Sequence, residues 1–357
     1  MTKIAILKID RLPDLSMSRY QRLYGQDAAD TARQVLARIS DLLQPGVDEW
    51  VGLRFQYNPR KSQRADRLKL FLRVPTAKRA CSGTIAFAGS HLINPFYQYE
   101  VLADAKSIQP AKLSDWHILS VAKAEEAELR WDAVRGQRRF YYAPLPIEEH
   151  GPSTPPLGLD DLFDSLQAPC IVQITVRPLS LATTTFRNDV VDEIQELDRW
   201  SSGSAADRIT SGTLESLSSD RDILAARSRG FYKRYFDTMS SGRVYEFAVL
   251  VASPKKPEAS LLARAFGDDC FGCGRYFVEN GPARTSRGSE AIKALRGFLH
   301  VVAKHPSGGE DYWSSRLAKR ADELRSVIGQ RLNRLARLSH LSQLVTRETA
   351  ARMLQLP

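Results

Sequence analysis

Cys270 and Cys273 frame Phe271 and Gly272 at the spacing of a redox pair or of half a zinc site, so they are the first residues to weigh for chemistry. A structural zinc takes four ligands, and no second cysteine pair is present; His300 or His305 would have to complete the set. The plainer reading is two cysteines flanking a turn between a helix and a strand. A thioredoxin-like role is weaker still, because the pair does not open a helix after a strand. Histidines at 91, 117, 150, 300, 305 and 340 form no H-E-x-x-H or other ligand spacing, and none is assigned a catalytic role. A phosphate-binding loop needs glycines and a lysine at fixed spacing; Ser307-Gly308-Gly309 and Gly272-Cys273-Gly274 lack both the lysine and the spacing. No G-x-S-x-G elbow occurs, and the acidic residues are spread over helix surfaces. The expectation is a protein without a complete catalytic motif, a resident metal or a cofactor.

Positive charge is the second signal. Lys and Arg number 51 against 41 Asp and Glu, a net +10 that favours phosphates or an acidic partner surface. Three segments concentrate it. Arg60, Lys61, Arg64 and Arg67 occupy the connection of an expected hairpin. Arg227, Arg229, Lys233 and Arg234 interleave with Phe231, Tyr232, Tyr235 and Phe236, a mixture able to hold single-stranded nucleic acid by phosphate pairing and stacking. The same rings at helical spacing read more simply as an amphipathic helix burying Phe231, Tyr235 and Phe236. Residues 311–357 carry nine basic and four acidic residues, half of the net charge. Here Leu317, Leu324, Ile328, Leu332, Leu335 and Leu338 advance in steps of three, four and seven, an apolar stripe bordered by Arg331, Arg334 and Arg337. That stripe, with Leu354 and Leu356 beyond it, is the candidate partner-binding surface.

The elements that would position these residues are of mixed type. A strand is expected at 3–9, a helix at 26–44, and a hairpin with one buried face from Val51, Leu53, Phe55, Tyr57 and Leu68, Leu70, Leu72, Val74. Short strands follow at 82–88, 128–132 and 138–143. Beyond the Pro-rich stretch 146–158 come a short acidic helix, a strand at 171–178, helices near 187–199 and 221–239, and a strand through Tyr245, Phe247, Val249 and Val251. A helix at 257–267 and a strand at 275–278 complete this half. The polar stretch 201–221 reads as a loop. A last helix should start at Thr346, whose hydroxyl can cap it. The fold class is α+β, with two lobes of small antiparallel or mixed sheets and one-sided helices. The lobes are 1–145 and 159–306, joined by a linker at 146–158 and followed by a basic helical tail at 307–357. Four cysteines in 357 residues make no disulfide framework, and Cys81 and Cys170 read as small core residues. With no secretory signal and no 18-residue apolar run, a cytoplasmic location without membrane contact is expected.

Three stretches together resemble the region that precedes the motor domain in HerA/FtsK-superfamily DNA-translocating ATPases, including the conjugation-type ATPases. They are LDDLFDSLQAPCIVQITVRP at 159–178, RVYEFAVLVASPKKPEASLLARAFG at 243–267 and LVTRETAARMLQLP at 344–357. In that family a short helix, a strand ending in Arg-Pro, a second strand and a helix precede a closing helix ending in Leu-Pro. The resemblance covers about the second half of the chain and places the start of the ATPase core at Pro357, where this sequence stops. It implies a HerA-like motor supplied by a separate polypeptide in a hetero-oligomer. The chain would be its non-catalytic adaptor, with DNA as a further partner and phage defence or DNA transfer as the setting. A stand-alone nucleic-acid-binding protein is the alternative, and a metal-dependent enzyme around Cys270 and Cys273 the third.

Overall fold

In a computed structural model of the chain, residues 4–11, 50–75, 98–102, 108, 113–132, 137–146, 159–179, 186–202, 222–240, 244–272, 275–281, 286–301 and 331–354 are described. The expected helix at 26–44, the strand at 82–88 and all of residues 147–158 and 203–221 lie outside them.

Eleven strands are present among the described residues. They are β1 (Ile4–Arg11), β2 (Val51–Tyr57), β3 (Leu68–Pro75), β4 (Gln98–Leu102), β5 (His117–Lys123), β6 (Glu125–Asp132), β7 (Gln137–Pro144), β8 (Cys170–Pro178), β9 (Val244–Ser253), β10 (Tyr276–Gly281) and β11 (Leu344–Thr346). Nine form one sheet in the order β10-β5-β9-β8-β2-β3-β1-β4, with β11 also paired to β9. β6 and β7 form a separate hairpin. Every pairing is antiparallel. The α+β class is therefore what the chain adopts.

The arrangement differs from two lobes with their own small sheets. β2 lies beside β8, with Phe55 opposite Val172. β5 is inserted between β9 and β10, with Leu119 opposite Val251 and Val121 opposite Val278. Strands from both sides of the 146–158 stretch thus share one ladder. The cause is legible in the apolar content: β9 is buried at all ten positions and β8 at its first seven, so neither can be an edge.

Helices cover both faces of this sheet rather than one. On one face, Leu53, Phe55, Leu72, Val172, Ile174, Phe247, Val249 and Val251 meet three helices. These are α2 (Leu159–Asp164), α5 (Lys256–Phe271) and α8 (Arg347–Met353), with α1 the single turn Arg64–Arg67. On the other face, Ile118, Ile171, Leu250 and Ala252 pack on Ala294 and Leu295 of α6 (Ser286–Gly297). Alternation in β8 and β9 explains this: Ile171 and Val172 point to opposite sides, and both sides are apolar. A further layer joins β7 to α3 (Phe186–Ser202), α4 (Ile223–Ser240) and α7 (Arg331–Leu338) through Phe140, Tyr142, Val190, Leu197, Tyr232 and Leu335. A 3-10 turn, Ser339–Gln343, leads from α7 into β11.

Local signals set the helix ends. Pro257 sits in the first turn of α5, where its missing N–H costs nothing, and Gly272 closes the helix at φ 82° with its N–H on the Asp268 carbonyl at 2.9 Å. Asp222 caps α4, accepting from the Ala225 N–H at 3.0 Å, and Thr346 caps α8, accepting from the Thr349 N–H at 3.3 Å. α6 ends on Phe298, a non-glycine residue at φ 50°, and the Leu299 N–H returns to the Ala294 carbonyl at 2.9 Å. Gly52 of β2 makes room for this turn: a Cβ there would fall 2.7 Å from the Phe298 ring and 3.1 Å from Thr175 Cγ2. We expect Gly52→Ala to lower stability by about 1–3 kcal/mol through overpacking, read as a lower urea midpoint at unchanged m-value.

Candidate functional site

Polar chemistry collects on the α6 face of the sheet, at positions that alternation alone assigns to solvent. Arg54 projects from β2 and is fully buried, although the hairpin was expected to have one buried face. Its Nε donates to Gln173 Oε1 at 3.1 Å, one terminal nitrogen donates to the Leu295 carbonyl at 2.6 Å, and the guanidinium lies 4.3 Å from the Phe298 ring centroid. Leu295 belongs to the last turn of α6, whose unsatisfied carbonyls attract a cation. Gln173 in turn donates to the Leu299 carbonyl at 2.9 Å. Burial lowers the Arg54 pKa to about 9.

Along the same face lies Glu246, one position along β9 from the apolar residue Tyr245 and nearly as deeply buried. His300 Nε2 approaches its Oε2 at 3.0 Å, His340 Nε2 approaches its Oε1 at 2.6 Å, and Arg177 of β8 pairs with Oε2. An ionised carboxylate only accepts, so both histidines donate from Nε2. His300 Nδ1 then accepts from the Thr175 hydroxyl at 2.9 Å. Burial alone would raise the Glu246 pKa, but the hydrogen bonds from His300 and His340 hold it well below the usual carboxylate range. Burial lowers the His300 pKa, against the opposing pull of Glu246. Hydroxyl, imidazole and carboxylate thus stand in the order of a proton relay. Thr175 is fully buried, however, and the side chain of His300 is 2% exposed, so the relay faces no substrate-sized space among the described residues. What it does is tie the segment after α6 and the turn before β11 to the central strands.

A second charged cluster docks α7 on α3. Glu193 is fully buried and accepts from Arg331 and Arg334, with Arg334 Nε and one terminal nitrogen at 3.1 and 2.8 Å from Oε2. Arg331 also donates to the Phe140 carbonyl at 2.8 Å and lies 4.4 Å from the Trp200 ring centroid. Arg337 makes a two-point contact with Asp189, both bonds at 2.7 Å.

These contacts reassign several residues singled out in the sequence. Leu335 and Leu338 are fully buried and Leu354 is 2% exposed, so they fill the chain's own core rather than facing outward. Leu317, Leu324, Ile328 and Leu356 lie outside the described residues, as does the side chain of Leu332. In α4, Arg227 pairs with Glu126 and Arg229 with Asp198, while Lys233 and Arg234 are exposed. The deeply buried rings are Tyr232 and Tyr235; Phe231, expected inside, is only partly covered. The hairpin tip stands differently. Arg60 and Lys61 are exposed, and the tip is ordered by the Arg60 N–H on Asn58 Oδ1 at 3.1 Å and by Arg67 Nε on the Lys61 carbonyl at 3.0 Å. The Arg64 side chain lies outside the described residues. Cys270 is buried against the α5 face, whereas His300 sits across the sheet from it with both ring nitrogens engaged; Cys273 lies outside the described residues. Among the described residues no group of three or more His, Cys, Asp or Glu could hold a metal ion, and no helix is long and apolar enough to cross a membrane.

The Glu246 cluster was missed because its members come from positions 175, 177, 246, 300 and 340. The available signal was an acidic residue inside a strand otherwise apolar on both faces. No protein-family model matches the chain, and no curated protein matches it.

Two expectations follow. Glu246 has a depressed folded pKa, so its contribution is present above the unfolded value near 4.5 and is lost as pH falls. His300, also depressed, makes the unfolded chain bind the extra proton first, so stability already declines below about 6.5. Urea midpoints should hold between about pH 7 and 8, fall below about pH 6.5 and fall more steeply below about pH 4.5, with Glu246→Gln losing the steeper limb. Replacing Glu193 by Ala leaves Arg331 and Arg334 facing each other and should cost about 3–5 kcal/mol in the same assay.

Proposed function

We propose that this chain supplies the non-catalytic assembly part of a DNA-translocating ATPase of the HerA/FtsK type. The observation that supports it is spatial: the three stretches that resemble the family's pre-motor region form one block. β8 and β9 are neighbours, with Ile174 opposite Val249. β11 pairs with β9, Val345 opposite Tyr245. Phe163 of α2, Phe266 of α5 and Met353 of α8 share one core with them. With Leu335, Leu338 and Leu354 buried, contact with the motor falls to exposed groups, among them Leu261 on the outer side of α5, 48% exposed. Co-expression with a HerA/FtsK-type motor domain should yield one shared peak in size-exclusion chromatography, which Leu261→Asp weakens without changing the circular dichroism spectrum. Separate peaks at micromolar concentration would sink this reading.

A second reading, direct binding of nucleic acid, is favoured by the exposed hairpin tip. Arg60→Ala with Lys61→Ala should reduce the salt slope of DNA binding by about 2, whereas Arg227→Ala with Arg229→Ala, already paired internally, should leave it unchanged. Fluorescence anisotropy between about 50 and 200 mM salt reads this difference, and equal slopes in all three proteins would exclude the tip.

A further inference from the structure

A small pocket, partly open to solvent, lies at the seam between the sheet and α4. Its polar wall is Lys123 from the end of β5, Arg234, Tyr235 and Thr238 from α4, and Thr346 from β11; no Asp or Glu among the described residues contributes to the wall. Lys123 is 2% exposed, and its Nζ lies 4.5 Å from the Tyr235 ring centroid and donates to the Tyr235 hydroxyl. That hydroxyl passes its own hydrogen to the Leu145 carbonyl at 3.0 Å, so it cannot neutralise the lysine. Tyr235 is the hydrogen-bond partner of Lys123 among the described residues.

The charged groups acting on Lys123 are Arg275, which opposes its protonation, and Glu125, which favours it; burial outweighs both and holds the amine well below the usual lysine range. A lysine buried against a phenol is costly in its charged form and becomes favourable only when an anion joins it. Arg234 supplies a second cation at the pocket's mouth, where its side chain is exposed. With Lys123 protonated on binding, it and Arg234 give a wall that carries no acid among the described residues two cations, which complement a small dianion.

We propose that this pocket binds a phosphate monoester or inorganic phosphate, held by the ammonium of Lys123 and the guanidinium of Arg234. On binding, the Lys123 amine takes one proton from solvent and keeps its bond to Tyr235, while its remaining N–H groups and the arginine fork go to phosphate oxygens. The same chemistry serves a free phosphate, a mononucleotide or the 5′-phosphorylated end of a strand. The site does not depend on the assembly role proposed above.

Isothermal titration of the full chain at constant ionic strength tests it, with inorganic phosphate, thymidine monophosphate, and a short thymidine oligonucleotide with and without its 5′-phosphate. Phosphate should bind saturably at one site with proton uptake, seen as an enthalpy that changes with the buffer's ionisation heat. Lys123→Met and Arg234→Ala should each weaken binding about tenfold. Arg234 is exposed, so its variant keeps the test valid if Lys123→Met fails to fold. Tighter binding of the phosphorylated oligonucleotide than of phosphate, with none by the 5′-hydroxyl form, identifies a strand end; equal affinities identify free phosphate; both outcomes support the pocket. Unsaturable heats, or an affinity unchanged in Arg234→Ala, overturn it.

Discussion

A carboxylate in a strand buried along its whole length stays ionised only where donors surround it, and Glu246 meets that requirement with His300, His340 and Arg177. The three donors come from different parts of the chain: the segment after α6, the turn before β11 and the neighbouring strand. Satisfying one acid therefore fixes the course of two connections. It places Phe298 over Gly52 and Arg54, and it brings β11 alongside β9. Arg54 answers the same constraint with opposite sign, since a buried guanidinium needs acceptors and finds them in Gln173 and the carbonyl end of α6. Acid and base sit on one face of the sheet but do not meet; each is satisfied by its own surroundings.

The charge of the chain has to be read in this light. A net +10 invites a search for polyanions, yet Arg331, Arg334 and Arg337 are consumed by Glu193 and Asp189, and Arg227 and Arg229 by Glu126 and Asp198. The basic groups of the hairpin tip and Lys123 are held differently: the first are open to solvent, the second is buried beside a phenol. Sites of unequal character thus remain after these arginines are accounted for.

Period-two alternation was enough to place β2, β3, β8 and β9, and helical periodicity placed α3, α4 and α5, because each signal is local. The cap at Thr346 was legible for the same reason. What alternation could not reveal was that the second face of β2, β8 and β9 is also covered, since Arg54, Gln173 and Glu246 look like solvent positions until their partners are known. The leucine stripe of the tail was visible, but whether it meets the chain's own core or another molecule depends on α3, whose complementary Asp189 and Glu193 lie more than a hundred residues earlier. Long-range pairing of this kind leaves no trace in local composition.

The interleaving of β5 between β9 and β10 has a mechanical consequence. A strand from the first half of the chain is gripped on both sides by strands from the second, and β2 is held by β8 in the same manner. Cutting the backbone between residues 147 and 158 would leave the fragments clasped by three ladders. Shear applied along the strands would load the hydrogen bonds of all these ladders together, so the described sheet resists separation of the two halves.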